Sequence, residues 1–407
     1  MPEAPLTKSE SGEVPNLDAF FRPTHDEYVR TRYIGALLNH AMVDLRYAVW
    51  DEYKAAAEPA FKKKHGRLAK TGKEIFHAIK TNTFFRTYSS FRYNAQEMGP
   101  QSVQAPVERV IPQLNAAAAR VPAKDHVGGT LRLNPNIELP QYLTGMDAHL
   151  TPGGYWSEHA GEGDVSQALM LQGRRIAGPP VNPSRDFGGV GASVGKWISH
   201  KISDFKPRRV LDIATQEGKQ LFAYGRLFPG VELHGLDIAA PSLRYGHAAA
   251  AYKGVPIHFS QQNAEMIDYP DGHFDLIVSS FFLHEISLPA TNRVIAECYR
   301  LLAPGGIMAH MELPPTKLVE PLLDFSLNWD GRYNNEPNYA LYRAQDPTEL
   351  SVAAGFARNA TFEITVPDAG SFKPENYEKF LKGEMASPPH GRGGWFIFGG
   401  RKAFTKA

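Results

Sequence analysis

Apolar residues recur at three- and four-residue intervals along the first clearly patterned stretch: Tyr28, Tyr33, Ile34, Leu37, Leu38, Ala41, Met42, Leu45, Val49 and Trp50. That period predicts a helix with one face in a core, begun by Thr24 or Asp26 as the capping residue. The basic residues 62–65 followed by Gly66 read as a solvated helix end. A second helix is predicted from Lys73 through the aromatic cluster Phe84, Phe85, Tyr88, Phe91 and Tyr93. Between Pro100 and Pro183 the periodicity weakens and Pro, Gly and Asn punctuate the text, which predicts a long covering segment. From residue 194 the pattern changes again. An amphipathic stretch leads to the short apolar runs RRVLDIA, VELHGLDI, PIHFSQQ, FDLIVSSFF, GIMAHMEL, TFEITV and WFIFGGR, most of them separated by helix-length segments. Strands alternating with helices predict an α/β fold with a doubly wound parallel sheet, ending in a hairpin-like pair.

The expected organisation is a flexible polar arm over residues 1–20, a mainly helical N-terminal domain with the covering segment over 21–186, and an α/β domain over 187–407 with an insertion at about 316–345. With 44 Lys+Arg against 43 Asp+Glu, the net charge of +1 supplies no broad cationic field, so nucleic acid is not an expected partner. The single cysteine, Cys298, excludes an intrachain disulfide and any multi-cysteine metal site. It falls in a helical pattern and reads as a buried structural thiol. No apolar run approaches the roughly 20 residues of a membrane span, and the first residues have no secretion core. A cytoplasmic protein without a membrane partner is expected, and a homodimer is left open.

In an open parallel sheet the ligand crevice lies at the carboxyl ends of the strands, where their order reverses. Asp212 closes VLDI, and Asp237 closes HGLDI, placed to accept hydrogen bonds from ribose hydroxyls. The loop between them, Ala214-Thr215-Gln216-Glu217-Gly218, lacks the glycines of a pyrophosphate cradle and adds negative charge. It suits a nucleoside without phosphates that carries a positive centre. A nicotinamide reductase, the alternative by fold, is disfavoured for the same reason.

With the further runs DIAAPSLRYG, QNAEMIDYPDGHFDLIVSSFFLHEI and VIAECYRLLAPGGIMAHMEL, residues 207–313 resemble the class I S-adenosylmethionine-dependent methyltransferases. The resemblance covers about a quarter of the chain and implies a Rossmann-like domain binding S-adenosyl-L-methionine. It implies adenine contacts at Asn263 and Ala264, and completes a cofactor set of Asp212, Ala214, Gln216, Gly218, Asp237, Ile238, Asn263, Ala264 and Ser279. The family's first loop reads close to D-x-G-x-G-x-G; here Ala214 and Gln216 stand at two of the glycine positions and Gly218 is kept.

Methyl transfer from a sulfonium is an in-line displacement, and a hydroxyl acceptor also needs a base. His284, immediately after the apolar FFL, is placed to take the proton or to pack beside the cofactor, while Glu285 reads as an orienting group. Tyr142, His149, Tyr155 and Trp156 from the covering segment, with Trp329 and Asn335 from the insertion, are the candidate acceptor contacts; a core role is the alternative for each. Asp147, His149, Glu158 and His159 offer ligand chemistry but no recognised metal spacing, so no metal is assigned. The expected function is methylation of a small organic molecule, preferably on oxygen. The alternatives are a non-catalytic binding or regulatory protein and an S-adenosylmethionine-binding enzyme of another reaction.

Overall fold

The computed structural model describes residues 14–177 and 188–404. At its centre lies one eight-stranded sheet: β1 (Thr130–Arg132), β2 (Arg209–Ile213), β3 (Glu232–Asp237), β4 (His258–Gln261), β5 (Phe274–Ser280), β6 (Leu302–Glu312), β7 (Thr361–Pro367) and β8 (Gly394–Arg401). The order is β1-β4-β3-β2-β5-β6-β8-β7. β1 to β6 are parallel, while β8 runs antiparallel to both β6 and β7. The doubly wound sheet with its terminal hairpin-like pair is therefore found. Both faces are packed, with Val210, Leu276 and Ile307 in one layer and Leu211, Ile277 and Met308 in the other. Burial on both sides is why these strands read as continuous apolar runs rather than as alternations. The order turns back between β2 and β5, which puts the crevice at their carboxyl ends.

The N-terminal portion is mainly helical, and it departs from the expectation in four places. The Thr24 cap is present as a capping box with Glu27, but the helical path from His25 runs on to His65 through π-helical turns at Ala41–Leu45 and Tyr53–Ala57, and ends at Gly66 with φ 69°. The second predicted helix is two helices, Gly72–Ile79 and Thr83–Glu108, because the Asn82 side chain caps a new start at the Phe85 N–H. The latter runs through Pro100 and Pro106, both buried on its packed side. The covering segment contains helices of its own and also β1, which pairs with β4 in the sheet. A three-residue strand is too short to show a period. The arm does not extend to residue 20, since Leu17 is 1% exposed and packs with Val103, Val107 and Leu114. The expected domain boundary near 186 lies outside the described residues. Cys298 is buried in the Leu288–Leu301 helix, as its pattern predicts. Among the described residues, no helix is long and apolar enough to cross a membrane.

The loop after β2 keeps a glycine-type backbone although two of its glycine positions carry side chains. Ala214, Gln216 and Gly218 have φ of 54°, 50° and 72°. At Gly218 only glycine fits, because a Cβ would lie 2.7 Å from the Phe259 ring. An L-residue in the left-handed region costs about 1–2 kcal/mol, while glycine costs roughly 0.5–1 kcal/mol more chain entropy on folding. Ala214→Gly and Gln216→Gly are each expected to raise unfolding stability by roughly 0.5–1 kcal/mol. Urea denaturation checks this; a loss of stability would mean that the side chains hold the loop more than its strain loosens it.

Two buried histidines make the fold sensitive to acid. Burial drives the His310 pKa down to about 3, and that of His234 to about 4 against the pull of Glu232. Unfolded histidine titrates near 6.5, so between that pH and the folded values the unfolded chain binds more protons and stability falls as pH falls. From pH 7 to pH 5 each of the two is expected to remove about 2 kcal/mol. A His310→Gln chain should lose less stability over that interval than the parent; an equal loss in both would remove His310 from the account.

Candidate active site

The carboxyl ends of β2, β3, β5 and β6 open into a cavity of about 450 Å³. Its wall divides by chemistry. On the β3 side stand Asp237, Ile238, Asn263 and Ala264, with Ala214 and Gln216 from the loop after β2. The Asp237 carboxylate is held at both oxygens: Gln216 N–H donates to Oδ2 at 2.8 Å and Ala239 N–H to Oδ1 at 2.9 Å. Each oxygen retains acceptor capacity. Burial raises the pKa of Asp237, against these backbone hydrogen bonds. Asp212 lies behind the wall, fully buried; its Oδ2 accepts from Thr215 Oγ1 at 2.7 Å and its Oδ1 has no hydrogen-bond partner. Burial pushes its pKa up to about 7, with Asp237 adding to the rise. Tyr142 donates its hydroxyl to Glu265 at 2.7 Å and closes this end.

On the β5 side the chain turns sharply after Ser280, with Phe281 at φ 55°. Glu312, at the end of β6 and fully buried, dictates that turn. Its Oε1 accepts from the N–H groups of Phe282 at 2.8 Å and Leu283 at 2.6 Å. Its Oε2 accepts from Leu313 N–H at 3.2 Å and lies 2.7 Å from His284 Nδ1. A carboxylate accepts only, so Nδ1 carries the proton and Nε2 faces the other way. There it lies 3.8 Å from Glu285 Oε1 and 3.9 Å from Glu336 Oε2. Burial opposes charge on this imidazole, but Glu312, then Glu285 and Glu336, outweigh it and hold the pKa at about 9.

The remaining wall comes from outside the sheet. His149, on a left-handed backbone at φ 54°, places Nε2 2.7 Å from Glu285 Oε1 and Nδ1 3.2 Å from Glu336 Oε1. Its carbonyl is anchored by Gln96 at 3.0 Å. Burial works against its charge too, and Glu285 and Glu336 outweigh it, giving a pKa of about 9. Burial lifts Glu336 to about 7 despite His149, whereas for Glu285 the pull of His149 wins over burial and its pKa is lowered. Tyr155, Trp156 and Tyr339 supply aromatic wall, with the Tyr339 ring edge-on to His284 at 5.4 Å.

Most of the candidates read from the sequence thus line one cavity: Ala214, Gln216, Asp237, Ile238, Asn263, Ala264 and His284, with Tyr142, His149, Tyr155 and Trp156. Gly218 buttresses the loop from behind, against Phe259. Three candidates are elsewhere. Ser279 faces into the sheet packing and meets His310 Nδ1 at 2.7 Å; its neighbour Ser280 lines the cavity and donates to Gln220 at 2.7 Å. Trp329 is core, stacked on Tyr88 at 4.3 Å with its N–H on Ser89. Asn335 is turned outward and donates to the Asp147 carbonyl at 2.7 Å. Of the other residues with ligand chemistry, Glu158 pairs with Arg244 and His159 is exposed. Sequence reasoning gave Glu312 no role, and reached Glu336 and Tyr339 only as members of the insertion, with Trp329 and Asn335 put forward in their place. For Glu312 the signal was present: like Asp212 and Asp237, it is an acid closing an apolar strand.

Residues 210–306 match the family model described as a methyltransferase domain. The chain is 33% identical over 109 residues to a demethylmenaquinone methyltransferase of Thermus thermophilus, covering 27% of this chain and 49% of the relative. It is 32% identical over 123 residues to a ubiquinone/menaquinone biosynthesis C-methyltransferase of Psychromonas ingrahamii, covering 30% and 48%. The chain spans about half the length of the curated relatives it matches. Among solved structures, phosphoethanolamine N-methyltransferase 2 of Haemonchus contortus, in complex with S-adenosyl-L-methionine, is similar over 52% of each chain at 15% identity and a TM-score of 0.34. The ordered motifs, the doubly wound sheet and the family match converge on one assignment: residues 210–306 form the core of a class I S-adenosylmethionine-dependent methyltransferase domain.

Proposed function

We propose that the chain transfers methyl from S-adenosylmethionine to a hydroxyl oxygen of a small organic acceptor, with His284 as the base. The observation that carries this reading is the His284 ring on the cavity wall, its Nδ1 held 2.7 Å from Glu312 and its Nε2 directed away from that carboxylate. Glu312 holds the Nδ1 proton, so Nε2 takes the acceptor proton when the ring is neutral; with the His284 pKa held at about 9 that form is the minor one at pH 7, and turnover is expected to rise with pH toward about 9. Tyr155, Trp156 and Tyr339 shield the site from water.

The β3 side fits the cofactor on its own chemistry. Asp237 has two oxygens with capacity left for the two ribose hydroxyls; Asn263 and Ala264, on the same wall, would hold the adenine, and Gln216 would meet the methionine part. Asp237 on the wall, with Asp212 buried behind it, suits hydroxyls and a cation rather than phosphates. When bound, the cofactor supplies a methyl group on positively charged sulfur. The acceptor side is assembled from the N-terminal portion, read as the domain over 21–186, and from the insertion at about 316–345. His149, Tyr155, Trp156, Glu336 and Tyr339 line the cavity from outside the family match at 210–306, while His284 and Glu285 lie within it.

Two variants separate the roles. Asp237→Ala is expected to weaken cofactor binding by about 1.5–3 kcal/mol, or about 10- to 150-fold, through lost hydrogen bonds to a charged group. Calorimetric titration with S-adenosylmethionine reads this, and unchanged affinity would put the cofactor elsewhere. His284→Gln retains a donor for Glu312, and is expected to keep cofactor affinity while lowering kcat by about 10²–10⁴-fold. Near-normal turnover in that variant, with product mass read on hydroxyl-bearing acceptors, would remove the base.

A further inference from the structure

We propose that His149, Glu285 and Glu336 form a site for a divalent transition-metal ion at the acceptor end of the cavity. The three residues come from distant parts of the chain, and one ligand atom from each lies within 4.8 Å of the others. A second observation points to a ligand. Glu336 is 5% exposed, and its Oε2 has no hydrogen-bond partner; Glu285 Oε2 has none either. A buried carboxylate oxygen without a donor is costly and rare in native proteins. A cation between the two carboxylates removes that cost.

The donor set narrows the ion. One imidazole with two carboxylates suits Mn²⁺, Fe²⁺, Co²⁺ or Zn²⁺, whereas Ca²⁺ takes six to eight oxygens. Three protein ligands leave coordination positions open, as in sites where a metal meets substrate. All three residues line the cavity, so those positions face the space where an acceptor enters. Glu285 Oε1 and Glu336 Oε2 stand 3.8 and 3.9 Å from His284 Nε2, so an oxygen bound to the ion comes within reach of that imidazole. The acceptor class that uses both is a hydroxyl compound with a second oxygen beside it, able to chelate. A bound cation polarises the hydroxyl and eases loss of its proton. This assignment of the open positions rests on the methyl-transfer reading, but the metal site itself does not.

The test uses the full chain, treated with a chelator, and manganese alone. Mn²⁺ titration followed by the electron paramagnetic resonance signal of the free ion should show one saturable site per chain. Glu336→Gln, close in shape to the parent, and His149→Ala should each weaken it at least tenfold. His159→Ala, on the exposed loop, should leave it unchanged. Circular dichroism confirms that each variant is folded. Absence of saturable binding of Mn²⁺, and of Co²⁺ or Zn²⁺ by calorimetry, overturns the site, as does undiminished binding in folded Glu336→Gln. Since the readout is metal occupancy, its failure leaves the cofactor and base experiments standing, and theirs leaves this one standing.

Discussion

A fully buried carboxylate at the end of a central strand requires donors, and the Glu312 side chain obtains four of them within 3.2 Å. Three are backbone N–H groups, two of these from the turn after β5, so the turn has little freedom to follow another path. The left-handed Phe281 is the local cost of wrapping that turn around the charge. The fourth donor is the His284 ring, and this makes the constraint functional. With Nδ1 committed to Glu312, the ring is fixed in plane and tautomer, and only Nε2 is available to anything in the cavity. The ring is therefore oriented from behind by a residue that does not itself line the cavity. Substituting Glu312 would disturb backbone and ring together, which is why the proposed base is better probed by replacing His284 with another donor.

The same arrangement sets the electrostatics of the acceptor end. Glu285, next in sequence, emerges from the turn on the far side of the ring, and Glu336 arrives from the insertion. Two imidazoles then stand among three carboxylates in a region largely closed to water. Burial alone would push both histidines toward the neutral form and the acids toward protonation. The pairing reverses this for the histidines, whose pKa values rise, and for Glu285, whose pKa falls, while Glu336 keeps the upward shift that burial gives a carboxyl group. Charge in this pocket is organised by neighbours rather than by solvent, so the entry of a cation there changes the balance more than it would at an exposed site.

The cofactor side was legible in the sequence because strand patterns are local. Apolar runs that end in Asp212 and Asp237 identify both the strands and the residues at their carboxyl ends, and the loop composition identifies what the crevice suits. Ser279 shows the limit of that reading. Successive residues of a strand point to opposite faces, so a shift of one position exchanges Ser280 on the cavity for Ser279 against His310. The acceptor side was legible only in its segments and not in its contacts. Trp329 and Glu336 both lie in the same insertion, but the helix Pro321–Tyr333 turns Trp329 into the packing against Tyr88, and the turn beyond it delivers Glu336 to His149. Which of them meets the cavity depends on how the insertion packs on the Thr83–Glu108 helix, and no sequence period carries that information.

The path of the N-terminal portion explains why the acceptor side is built from groups that are unsatisfactory alone. The segment after the Thr83–Glu108 helix first gives β1 to the edge of the sheet and then crosses the carboxyl ends of the strands. There Asp147 and His149 are tied by Asn335 and Gln96. His149 holds a left-handed backbone, which persists only where surrounding contacts over-determine it. Without that segment, Glu285 and Glu336 would face each other across the cavity with His284 as their one positive neighbour in the site. Without the insertion, His149 would lose one of its two carboxylates. Each segment supplies charge that another must neutralise, so the acceptor end forms as a unit when all three come together. The cofactor side is drawn from β2 to β5 and the loops between them, and the N-terminal portion touches it through Tyr142 on Glu265 and Arg175 on Glu217. The stretch that matches the methyltransferase domain family, 210–306, thus supplies β2 to β5 with His284 and Glu285, and the segments on either side of it bring the remaining charges to the cavity.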